Sequence, residues 1–110
     1  MHADVTPAER ANFVAAHAVA AATAFLDGRC TAVDLADRAN TLIRDINEIT
    51  EDAAARRILV PLGLLVMAMV GTAAAKGYAR RERWLDLMEA LVKLVKFESI
   101  DLRETGAQRS

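Results

Sequence analysis

Residues 58–75 read ILVPLGLLVMAMVGTAAA, an uncharged run in which Thr72 is the sole polar side chain. Arg56 and Arg57 stand before it, and Lys76, Arg80, Arg81 and Arg83 follow. As an unbroken helix it would reach about 27 Å, close to the roughly 30 Å of a bilayer core. A run of this kind is either the central strut of a helical bundle or a membrane span. Pro61 removes one backbone donor and crowds the preceding turn, so a kink or restart is expected near Val60. Beyond it, Gly63, Gly71 and Ala75 offer small surfaces for close helix contact, the last two at small-xxx-small spacing.

The flanking segments are helical by their punctuation. Upstream, Thr6 is placed to cap a helix, Pro7 suits its first position, and Glu9 completes a capping box. That helix runs through FVAAHAVAAATAFLD to Gly28, a C-terminal stop. Its polar face is thin, so it is expected to be hemmed in by neighbours. His17 lies among alanines with no partner at helical spacing, which favours a structural role over a ligating one. Thr31 and Asp34 then form a second capping box, in its acidic form. Leu35, Ala39, Leu42, Ile46 and Ile49 follow at steps of four and three. Together they define an amphipathic helix over about 32–49, with Ala36 and Ile43 widening the stripe.

The stretch DLADRANTLIRDI, residues 34–46, resembles the first half of a helix-turn-helix, with Ala36 as the small contact residue and Asn40 in the turn position. That resemblance implies DNA binding. However, the recognition surface would present Arg44, Asp45, Asn47 and Glu48, and two acids repel phosphates. The unbroken stripe explains the same residues as one continuous helix.

A third helix starts at Thr50-Glu51-Asp52, with Asp52 and Arg56 spaced for an ion pair as Asp34 and Arg38 are. It leads into the apolar run, where Met67 and Met69 read as gap-filling core. A turn is expected at Lys76–Ala79, around Gly77. The last helix, about 79–98, carries an apolar arc of about 180°, where a core stripe needs only about 100°. One edge of this surplus, Trp84, Leu85, Met88 and Val92, is the candidate partner-binding site. The opposite side of the helix is held by Glu82, Asp86, Glu89, Lys93 and Lys96.

The bulk numbers agree with a helical domain. A chain of 110 residues buries a core without disulfides. It is 54% hydrophobic but only 5% aromatic, and the alanine behind that gap favours packed helices over sheets. Net charge is −1, which gives no global pull toward nucleic acid or anionic lipid. Cys30 stands alone, excluding an internal disulfide and suiting a reducing cytoplasm. The first ten residues, MHADVTPAER, lack the apolar run of a signal peptide.

No HExxH, di-iron Glu-x-x-His, CxxC, phosphate loop or GxSxG occurs, so no catalytic, metal or cofactor residue is assigned. The basic cluster Lys76, Arg80, Arg81 and Arg83, broken by Glu82, reads as a solvated helix start. The expectation is therefore an all-α bundle of four to five helices around a fully buried 58–75 helix. It comprises one domain over 1–104 and a disordered tail at 105–110. Functionally it reads as a cytoplasmic, non-enzymatic interaction or accessory protein, binding a protein partner or itself as a homodimer. A single-pass membrane protein spanning 58–75 and a small DNA-binding regulator are the alternatives.

Overall fold

The structure is a computed structural model. It describes the backbone of residues 5–109 and the side chains of 5–99; the expected tail at 105–110 lies outside the side chains so described. It is all-helical among the described residues, with four helices: α1 (Pro7–Leu26), α2 (Ala32–Asn47), α3 (Ala53–Ala74) and α4 (Tyr78–Arg109).

Local chemistry sets the first boundaries. The Glu9 N–H donates to Thr6 Oγ1 at 3.1 Å while the Thr6 N–H donates to Glu9 Oε1 at 3.0 Å, so two orphan donors are satisfied reciprocally. Thr31 and Asp34 repeat the device at the start of α2. At the end of α1, Gly28 takes φ +74°. From there the Arg29 N–H reaches the Ala24 carbonyl at 2.8 Å and the Gly28 N–H reaches Phe25 at 3.0 Å. This pair of bonds is a Schellman stop, and the left-handed residue it needs is a glycine. Asp52 caps α3 by accepting from the Ala55 N–H at 2.7 Å.

Helix continuity is as expected in α2 and greater than expected in α3. α2 is continuous through Asn40, which is exposed, so residues 34–46 form one helix without a turn. α3 runs unbroken through Pro61, which is itself buried, so the helix does not restart there. The turn after α3 falls where expected, with Gly77 at φ +90° and the Arg81 guanidinium donating to the Ala75 carbonyl at 3.4 Å.

α1 and α3 meet across the middle of the bundle. Ala11, Ala15, Ala18 and Ala22 of α1 are all buried, and their small side chains permit that close approach. Leu35 of α2, Ile58, Leu62, Leu65 and Met69 of α3, and Met88 and Val95 of α4 fill the rest of the core. Each such large side chain contributes about 1.5–3 kcal/mol by leaving water. Thr72 is buried too, and its hydroxyl is satisfied by the Ala68 carbonyl at 2.8 Å. Every pair of helices packs together except α2 with α4. Those two flank the α1–α3 pair on opposite sides.

That arrangement corrects one expectation. From Ile58 onward α3 is apolar all round but not buried all round. Its inner sectors face α1, α2 and α4, while the outward sector between α2 and α4 has no neighbour among the described residues. Met67 is 67% exposed there, Val60 56% and Leu64 49%.

Candidate functional site

The four residues singled out on α4 are placed together, but as packing. Met88 is 0% exposed and Val92 7%, while Trp84 and Leu85 are half-buried against the same core. Helices α1 and α3 cover that edge of the arc between them. The Trp84 ring lies directly over Gly71: a Cβ on that glycine would stand 2.6 Å from three ring carbons. The surplus apolar surface of α4 shows at the other edge instead, where Leu87 and Leu94 are exposed.

The larger apolar surface is on α3. Val60, Leu64, Met67 and Ala74 recur at steps of four, three and seven, one face of a helix, with the Trp84 ring covering Gly71 between the last two. Gly63 and Val70 lie beside that line. On the α2 side, Ile43 extends the surface across an open groove of about 410 Å³ floored by Gly63 and Val66. Gly63 stands clear, with no atom within 4 Å of where a Cβ would be. Contiguous exposed apolar area of this kind usually marks an interaction site. Methionine, which sits at its centre, is enriched in the cores of interfaces.

Charge appears only at the ends of this face. The loop before α3 carries Glu48, Glu51 and Asp52, and Arg56 just inside the helix is held by Glu51 at 3.3 Å. Beyond α3 stand Lys76, Arg80 and Arg83, all exposed. The N-terminal end thus mixes three acids with Arg56 and Arg57, and the C-terminal end is mainly basic, with Glu82 among its arginines.

The remaining polar side chains that the structure describes are dispersed over the molecule. His17 is exposed and meets Phe13 edge to face, with ring centroids 4.7 Å apart. It lies on the outer face of α1 and outside the core. Cys30 is a half-buried free thiol in the α1–α2 connection. Ser99 donates to the Asn12 amide oxygen, and Arg57 lies 3.5 Å from Glu98; both are ties holding α4 to its neighbours. Among the described residues, no three His, Cys, Asp or Glu side chains are grouped to hold a metal. α3 is long and apolar enough to cross a membrane by length and composition, a test that the core helix of a soluble protein also passes.

Comparison with known proteins adds nothing to this geometry: no family model, curated protein or solved structure matches the chain. The exposed stripe of α3 was missed from sequence because its residues were assigned to the core. The available signal was the run's uniform apolarity. A helix with neighbours on three sides cannot bury a fourth.

Proposed function

We propose that the protein works by docking rather than by chemistry, as a small helical interaction or accessory protein in the cytoplasm. Its docking surface is the outer face of α3, flanked by Ile43 on one side and by Leu87 and Leu94 on the other. The observation that carries this reading is the exposure of Val60, Leu64 and Met67 in one stripe of a helix that carries no charge beyond Arg57. Leaving that stripe in water forgoes about 25 cal/mol for every Å² that a partner would cover. A polypeptide partner with an apolar face of its own recovers that energy, and methionine adapts its shape to the contact.

The reading is tested by placing a photoreactive phenylalanine at Met67 and irradiating living cells of the source organism. A discrete covalent adduct to a polypeptide is expected, and none from the same group at Asp37 on the polar side of α2. No adduct at position 67, or adducts to lipid alone, would contradict it. The lipid outcome would favour the alternative in which α3 meets a membrane, to which its length and hydropathy are suited.

A further inference from the structure

A different cavity lies along the seam between α1 and α4, lined by no residue of α3. It is an open groove of about 570 Å³, within the roughly 300–1,000 Å³ of small-molecule sites. Ala15, Ala16 and Val19 of α1 and Val95 of α4 give it an apolar lining, and side chains this small leave the seam unfilled. Phe13 borders it and is 68% exposed. We infer that this groove binds a small amphiphilic monoanion, an alkyl carboxylate of medium chain length.

The head group is selected by donors that the chain leaves unused. The Ser99 hydroxyl donates to the Asn12 amide oxygen, and the two N–H donors of that amide have no partner among the described residues. Lys96, on the α4 wall, has no carboxylate partner there either. An amide N–H pair and an ammonium on one groove form a donor set for a carboxylate, and charge-assisted hydrogen bonds are the strong ones. Glu9 also lines the groove, but one of its oxygens already accepts from the Thr6 N–H in the cap of α1. A ligand cation would meet that half-engaged acid and be opposed by Lys96 and the amide donors. A single negative charge balances Lys96, whereas a second one is repelled by Glu9. A carboxylate fits those charges and a phosphate dianion does not.

The tail follows from the apolar lining. From Asn12 to Val19 α1 advances about 10 Å, the reach of a medium alkyl chain laid along the groove. Covering Ala16, Val19 and the Phe13 ring takes apolar surface of both partners out of water. Acetate makes the head contacts without that gain.

The test titrates the full chain with octanoate below its micellar concentration, followed by nuclear magnetic resonance and calorimetry. Saturable shifts centred on Ala16, Val19 and Val95 are expected, with none from acetate at the same concentration. Octanol and octyl phosphate should each bind about tenfold more weakly than octanoate. Lys96→Gln should weaken octanoate about tenfold and leave octanol unchanged. Asn12→Asp keeps an acceptor for Ser99 but replaces the N–H donors by a second anionic oxygen, so it should weaken octanoate further. Ala16→Trp should block both octanoate and octanol with unchanged circular dichroism, because Ala16 is exposed and its replacement fills the groove.

A chain that shows no saturable octanoate binding overturns the inference. So do shifts spread equally over Leu64 and Met67, which mark a detergent-like coating of exposed apolar side chains. Octanol or octyl phosphate binding as tightly as octanoate overturns the assigned head group, as does octanoate binding indifferent to both Lys96→Gln and Asn12→Asp. The docking role of α3 stands or falls apart from these results, on the adduct from position 67.

Discussion

Gly71 and Gly63 lie eight residues apart on α3, and their surroundings demand opposite things of them. Gly71 has the Trp84 ring 2.6 Å from where its Cβ would stand, so Gly71→Ala forces the indole off its seat. We expect it to cost about 1–3 kcal/mol, the usual range for overpacking. Gly63 has nothing overhead, so Gly63→Ala gains about 0.5–1 kcal/mol from helix propensity alone. Urea denaturation reads both. Equal effects at the two sites would show that Trp84 does not pack where the structure puts it.

The carboxylates near helix starts carry a related lesson. The sequence spacing suggested Asp34–Arg38 and Asp52–Arg56 ion pairs, yet Asp34 turns back to the Thr31 N–H and Asp52 to the Ala55 N–H. An orphan backbone donor competes better for a carboxylate than an exposed guanidinium, because exposed ion pairs are worth little. Glu9 is held in the same way. The Thr6 N–H and then its hydroxyl keep its carboxyl below the ordinary value of 4.5. Because the folded value is the lower one, the charged cap stabilises α1 fully above the unfolded value, and that contribution is lost as pH falls through the folded value. Nuclear magnetic resonance titration should give a Glu9 midpoint under 4.5, moving up toward it in Thr6→Ala. A wild-type midpoint at or above 4.5 would mean that the capping box does not form.

At the scale of the element, the helices were legible because their ends are written in local chemistry. Thr6, Pro7, Glu9, Gly28, Thr31 and Gly77 each act on backbone groups a few residues away, and all six act where expected. The continuity of α2 was legible too, since Leu35, Ala39 and Leu42 keep one period across Asn40 and are all buried. Asn40→Ala should therefore be neutral or slightly stabilising, alanine being the better mid-helix residue. Leu42→Asp should abolish cooperative unfolding, because a buried unpaired carboxylate costs several kcal/mol against a total of about 5–15. Thermal melts followed by circular dichroism check both, and a severe loss in Asn40→Ala would show a turn in place of a helix. What periodicity did not reveal was which side of an apolar arc is covered. A helical wheel groups Trp84, Met88, Leu87 and Leu94 into one sector. Only the positions of α1 and α3 decide that the first pair is packed and the second pair wet.

At the scale of the whole molecule, the separation of α2 from α4 is the feature from which function follows. Four helices of this chain bury a common core, yet α3 has neighbours for only part of its circumference. Its remaining stripe is apolar because the sequence never supplies a charge between Arg57 and Lys76. The neighbour relations of α3 depend on long-range packing, which no local spacing encodes, so the docking face was hidden inside a run that reads as core. The most direct measurement is covalent capture from a photoreactive phenylalanine at Met67 in living cells, beside the thermal melt of Met67→Glu. Docking through the α3 face yields a discrete adduct to a polypeptide, and the exposure of Met67 lets Met67→Glu melt cooperatively. No adduct, adducts to lipid alone, or a Met67→Glu chain that fails to fold at all would contradict an exposed, docking α3.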